Sequence, residues 1–113
     1  MKLAKNFSLK EMTASQTADR LGLKNEPDKQ QLVNLCLLCN NILQPVRDHF
    51  NKVVTVSSAL RTKEVNRAVG SGDKSQHVLG MASDFEIYGL DNLFVAQYIA
   101  ENLDFDQLIL EFY

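Results

Sequence analysis

The residues of this chain best suited to chemistry lie within positions 75–84, which read S-x-H-x-x-G-x-A-x-D. His77 offers a neutral imidazole nitrogen, Gly80 permits a tight turn, and Asp84 places a carboxylate on the apolar segment that follows. Zinc accepts both ligand types, and a catalytic zinc site takes three protein ligands and leaves one position open. Because His77 and Asp84 supply only two ligands, the pattern predicts a zinc hydrolase site whose third ligand comes from elsewhere.

Two other groups in the chain are potential metal ligands. His49, the only other histidine, falls at the end of a predicted helix, where an imidazole interacts favourably with the helix dipole, and we interpret it as structural. Cys36 and Cys39 form a C-x-x-C pair, which is also found in redox sites and in half of a zinc site. The apolar residues around them recur at helical spacing and there is no second cysteine pair, so we predict that both cysteines pack as small hydrophobic residues.

Length and composition place mild bounds on function. The 113 residues, of which 45% are hydrophobic, predict one domain over positions 1–113 with its own core. A formal net charge of −2 gives no reason to expect nucleic acid or an anionic membrane as partner. The sequence has no apolar run of about 18 residues and no signal-peptide core, so we expect synthesis in the cytoplasm. Its oligomeric state is not predicted by these features.

Periodicity and capping residues predict the elements that position these groups. Helices are expected to begin at Ser8 and at Ser15, to cover residues 28–51 with a kink at Pro45, to cover 62–69, and to follow Asp91. Strands are expected at residues 53–58, 81–87 and 106–113. This order predicts an α+β fold in which helices pack on one face of a small antiparallel sheet. Because the last predicted strand runs to the final residue without a closing turn, we also expect the domain to be truncated there.

Six ordered segments together resemble the zinc-dependent D-alanyl-D-alanine carboxypeptidases and related peptidoglycan peptidases. That group includes phage endolysins and vancomycin-resistance D,D-dipeptidases, and its fold is shared with the hedgehog signalling domain. The segments are F-S-L-K-E-M-T at 7–13, L-Q-P-V-R at 43–47, S-S-A-L-R-T at 57–62, V-N-R-A-V-G-S at 65–71, the 75–84 signature, and F-D-Q-L-I-L-E at 105–111. The resemblance implies a hedgehog-like or DD-peptidase-like α+β fold.

The resemblance also implies roles for individual residues. His77 and Asp84 match the first two zinc ligands, and Arg61 matches an arginine that binds the substrate carboxylate or stabilises the oxyanion. Ser75 matches a serine that positions substrate, although a simple turn hydroxyl is an equal alternative. Glu111 is the remaining candidate for the general base, with a structural role as its alternative. The W-x-H segment that supplies the third ligand in the family has no match in this chain.

The implied function is zinc-dependent hydrolysis of a D,D- or L,D-type peptide bond in peptidoglycan, whose peptide is the expected partner. Such a protein would act at the cell wall once released or exported. With only two ligands, this 113-residue form is expected to bind zinc poorly and to be inactive. Two alternatives remain open: a non-catalytic domain that binds cell-wall peptide, and a phage structural module in which zinc only stabilises the fold.

Overall fold

The computed structural model describes residues 1–72 and 75–103. The strands of this part are β1 (Lys2–Ala4), β2 (Phe7–Ser8), β3 (Thr55–Ser58) and β4 (Asp84–Glu86). The helices are α1 (Leu9–Thr13), α2 (Gln16–Leu21), α3 (Lys29–Leu38), α4 (Gln44–Phe50), α5 (Lys63–Ala68) and α6 (Asn92–Asn102), and a π-helical segment, Cys39–Leu43, joins α3 to α4. The predicted α+β class is confirmed.

The pairing of β3 with β4 matters most for function because it carries Asp84. The two strands are antiparallel, with Thr55 opposite Glu86 and Ser58 opposite Asp84, and the register shifts between Val56 and Ser58. Both strands are shorter than predicted. The described residues also contain a second sheet, the β1–β2 hairpin, which the sequence analysis did not predict because its strands are only three and two residues long. The strand predicted at 106–113 lies outside the described residues.

The helical region predicted at 28–51 runs from Lys29 to Phe50 with a change of winding at its centre. Pro45 has no N–H to donate to the preceding turn, and such positions disturb regular α-helical bonding. Here the N–H of Gln44 donates to the carbonyl of Cys39, five residues earlier, which is the π-helical pattern. The expected disturbance at Pro45 therefore takes the form of a π-segment before it, and Asn51 ends α4 in the left-handed conformation at φ 51°.

Side-chain caps fix the starts of the other helices, as the sequence predicted at Ser8 and Ser15. Ser8 accepts from the N–H of Glu11, Ser15 from that of Ala18, and Thr62 from that of Val65. Each cap satisfies an N–H that has no partner inside its helix. Thr62 is relevant to function because it directly follows Arg61, and its cap fixes the end of the segment that joins β3 to α5.

Among the described residues, apolar side chains of the long helical region pack in a cluster with those of the N-terminal hairpin and of α6. Its fully buried members include Met12, Leu35, Leu43, Leu60 and Ile99. Cys39 is also fully buried, and burial, with smaller contributions from the neighbouring Cys36 and Glu11, raises the pKa of its thiol to about 12. The prediction that Cys39 packs in the core is confirmed.

Candidate metal site

His77 is held in one orientation by the segment that follows β3. The residue is 5% exposed, and its Nδ1 lies 2.7 Å from the carbonyl oxygen of Ala59. A carbonyl can only accept, so Nδ1 carries the proton in this contact, and in the neutral ring Nε2 keeps its lone pair. A backbone carbonyl on one ring nitrogen is the usual arrangement that orients a metal-binding histidine through the other.

Asp84 is the first residue of β4, and its two carboxylate oxygens have different surroundings. The side chain is 3% exposed, and Oδ2 accepts from Nη2 of Arg61 at 3.2 Å. Oδ1 lies 3.4 Å from Nε2 of His77 and has no hydrogen-bond partner in the part of the chain that the structure describes. A buried carboxylate oxygen without a hydrogen-bond partner is costly, and a metal ion held between Oδ1 and Nε2 would offset that cost, as would a proton on Nε2.

The facing pair, His77 Nε2 and Asp84 Oδ1, fits zinc. Two ligand atoms that each lie about 2.0–2.2 Å from a tetrahedral ion stand about 3.3–3.6 Å apart. The observed separation of 3.4 Å falls in this range, and in the neutral form of His77 both atoms can bind an ion placed between them. Within residues 1–72 and 75–103, no group of three His, Cys, Asp or Glu side chains is suitably placed to hold a metal. His77 and Asp84 are therefore an incomplete ligand set within these ranges.

Arg61 connects this pair to a surface groove. Its Nε donates to Oγ of Ser58 at 3.1 Å, its Nη1 lies 3.5 Å from Oδ1 of Asn66, and its backbone N–H donates to the carbonyl of His77 at 3.1 Å. The side chain is 17% exposed. It lines a groove of about 490 Å³ together with Ser58 and residues of α2 and α5. The guanidinium thus contacts the buried carboxylate on one side and reaches the groove on the other.

The loop that carries His77 is fastened to α3. Nε2 of Gln31 donates to the carbonyl of Val78 at 2.7 Å, and Nδ2 of Asn34 donates to the carbonyl of Leu79 at 2.8 Å. Gly80 has φ +74°, and a Cβ there would lie 2.9 Å from the carbonyl oxygen of Gln31. The sequence analysis identified Gly80 but missed Gln31 and Asn34, whose only signal was a pair of amide side chains three positions apart on one helix.

The other predicted site residues are distributed differently. Ser75 belongs to the turn, where its Oγ accepts from the backbone N–H of His77 at 3.2 Å. That contact agrees with the alternative in which Ser75 is a simple turn hydroxyl. A role for Ser75 in positioning substrate stays a prediction. His49 is not part of the site: it is exposed and stacks on Tyr98 with ring centroids 3.9 Å apart. Glu111 lies outside the described residues.

Comparison with known proteins assigns the chain to a class of enzyme, the peptidases. The family model described as Peptidase M15 matches residues 5–113, and the chain therefore belongs to the peptidase M15 family. Peptidases of this family are generally zinc-dependent, in agreement with the donor set of His77 and Asp84. No curated protein and no solved structure matches the chain.

Proposed function

We propose that this protein is a zinc metallopeptidase that hydrolyses peptide bonds of peptidoglycan. The observation that carries the proposal is the buried Oδ1 of Asp84, which has no hydrogen-bond partner among the described residues and lies 3.4 Å from Nε2 of His77. Membership of the peptidase M15 family supports the hydrolytic chemistry. The choice of peptidoglycan, and of a D,D- or L,D-type bond, rests on the sequence resemblance and belongs to the proposal.

In this proposal, His77 and Asp84 are two of the zinc ligands. When bound, zinc supplies Lewis acidity to the substrate carbonyl and lowers the pKa of water toward about 7. Ala59 keeps Nδ1 of His77 protonated, which leaves Nε2 free to bind the ion. Arg61 orients Asp84 by holding Oδ2, which leaves Oδ1 directed at His77.

Arg61 also has capacity to bind substrate. A guanidinium carries five N–H groups, and three of them are directed at Ser58, Asn66 and Asp84. We assign the remaining two to a substrate carboxylate or to the oxygen that gains negative charge during hydrolysis. The peptide would lie in the adjoining groove, which Arg61 shares with Ser15 and Val65. Glu111 remains our candidate for the general base.

The sequence resemblance also supports where such an enzyme would act. We propose that the protein reaches its substrate at the cell wall after release or export, as in phage endolysins. None of the described helices is long and apolar enough to cross a membrane. Whether the enzyme removes a terminal residue or cleaves within the peptide is a question for product analysis.

The test is hydrolysis of purified peptidoglycan and synthetic stem peptides, with products identified by mass spectrometry. In a form of the protein whose zinc ligand set is complete, we expect activity that chelation abolishes and zinc restores. His77→Ala and Asp84→Asn should each lower the rate by at least about a hundredfold, because each removes a ligand. His49→Ala is the matched control and should retain activity.

Two outcomes would contradict the proposal. Binding of peptidoglycan without any product would favour the non-catalytic cell-wall-binding alternative. Hydrolysis that is unchanged in His77→Ala would remove the 75–84 signature from the active site.

A further inference from the structure

Asn25 makes three hydrogen bonds that bracket Arg61. Its Nδ2 donates to the carbonyl of Leu60 at 2.9 Å and to the carbonyl of Thr13 at 2.8 Å. Its Oδ1 accepts from the backbone N–H of Thr62 at 2.9 Å. One carboxamide therefore fixes the backbone on both sides of Arg61 and ties it to the end of α1.

The segment that Asn25 holds has no regular secondary structure. It lies between the end of β3 and the start of α5, so neither a sheet ladder nor a helix fixes its conformation. The hydroxyl of Thr62 adds a further contact to this region by donating to the carbonyl of Lys24 at 3.3 Å. Residues 24 and 25 thus form a cradle for the backbone around Arg61.

Through Arg61, this cradle reaches both candidate zinc ligands. The backbone N–H of Arg61 donates to the carbonyl of His77, and its Nη2 donates to Oδ2 of Asp84. A shift of the backbone at Arg61 would therefore move the guanidinium relative to the carboxylate of Asp84. It would also break the hydrogen bond from the Arg61 N–H to the carbonyl of His77. Displacements of about 1 Å in catalytic groups are enough to lower rates by about a hundredfold.

We propose that Asn25 is a positioning residue of the active site that acts through Arg61. The inference rests on the proposed function for its catalytic consequence, but the three hydrogen bonds of Asn25 are themselves present in the structure. A merely structural role predicts that loss of Asn25 lowers stability alone. A positioning role predicts that it also disturbs Arg61.

The experiment compares Asn25→Asp with Asn40→Asp in the full protein. Asn40 is a matched control because its Nδ2 also donates to two backbone carbonyls, those of Leu3 and Cys36, on the side of the N-terminal hairpin. In both variants the carboxylate replaces the donor, and at Asn25 it still accepts from Thr62. Asn25→Ala removes all three bonds without adding a charge and serves as the second variant.

The expected results separate the two roles. Both aspartate variants should lower Tm, but only the Asn25 variants should lower kcat/KM, by about tenfold per folded molecule. In an Arg61→Lys background, the Asn25 variants should add less than about twofold, because residues that act as one unit are not additive. Loss of activity in Asn25→Asp that multiplies fully with Arg61→Lys would overturn the proposal.

A second readout needs no activity. The Nε–H signal of Arg61 in an NMR spectrum, assigned by its absence in Arg61→Lys, should shift or broaden in both Asn25 variants and stay unchanged in Asn40→Asp. An unchanged signal in the Asn25 variants would refute the proposal that Asn25 positions Arg61. If the wild-type protein cleaves no cell-wall peptide, the proposed function fails while this signal still decides the role of Asn25.

Discussion

At the scale of single residues, the two oxygens of Asp84 define the site. Oδ2 is paired with Arg61, whereas Oδ1 faces Nε2 of His77 and is buried without a hydrogen-bond partner among the described residues. When His77 is neutral, two acceptors face each other in the interior, and a cation bound between them stabilises this arrangement. The local cost of this arrangement is therefore consistent with a site built for a metal.

Arg61 provides the first prediction at this scale. Arg61→Lys should lower kcat/KM for peptide hydrolysis by at least tenfold, about 1.4 kcal/mol of transition-state stabilisation. Lysine keeps the charge but cannot contact Asp84, Ser58 and substrate with one planar group. Steady-state kinetics with Arg47→Lys as control will measure the effect. Equal activity of the two variants would mean that a simple positive charge is sufficient at position 61.

Cys39 provides the second prediction at this scale. Its pKa of about 12, raised mainly by burial, keeps the thiol protonated and unreactive at pH 8. An alkylating reagent should therefore leave Cys39 unmodified in the folded protein and label it after unfolding, as mass spectrometry of the peptides will show. Rapid labelling of Cys39 under native conditions would support a redox or metal role for the C-x-x-C pair.

The same thiol makes stability depend on alkaline pH. Because the pKa is raised on folding above the ordinary value of 9.0, the thiol's contribution to stability is complete below pH 9 and is lost as the pH rises toward about 12. Urea unfolding of the wild type should therefore lose more stability between about pH 8 and 11 than that of Cys39→Ala. Identical losses in the two proteins would contradict this pH dependence.

At the scale of elements, the site depends on how the His77 loop packs against α3. Gly80 has a positive φ and lies where a Cβ would come within 2.9 Å of the Gln31 carbonyl oxygen. Gly89 also has a positive φ, at +84°, but a Cβ added there would meet no atom of the described residues within 4 Å. Substitution of Gly89 by alanine therefore measures only the cost of placing a side chain at a positive φ. The two glycines thus form a matched pair.

We predict that Gly80→Ala lowers the free energy of unfolding by about 1–3 kcal/mol more than Gly89→Ala, since only the former forces backbone atoms apart. It should also weaken zinc binding, because the loop that carries His77 must move away from α3. Chemical denaturation and zinc titration will measure both effects. Equal destabilisation by the two substitutions would show that the contact with Gln31 does not constrain the loop.

The sequence predicted the elements whose signals are local, and it missed those that depend on distant contacts. The caps at Ser8 and Ser15 were predicted because each involves residues three positions apart. Gln31 was missed because its partner, Val78, is 47 positions away. Asn25 was missed for the same reason, since a lone asparagine near a proline indicates only a turn.

At the scale of the whole molecule, the candidate site lies where three parts of the chain meet. The β3–β4 pair presents Asp84, the segment before α5 presents Arg61, and the loop fastened to α3 presents His77. None of these parts forms the site alone, so folding of the domain is a condition for metal binding. This coupling predicts that zinc stabilises the folded protein.

The central claim is that His77 and Asp84 bind zinc together. The most direct measurement is a crystal structure of the protein with zinc, in which the anomalous signal at the zinc absorption edge locates the ion. We predict one peak within about 2.0–2.2 Å of both Nε2 of His77 and Oδ1 of Asp84. Zinc bound elsewhere while this pair stays free of metal would contradict the account.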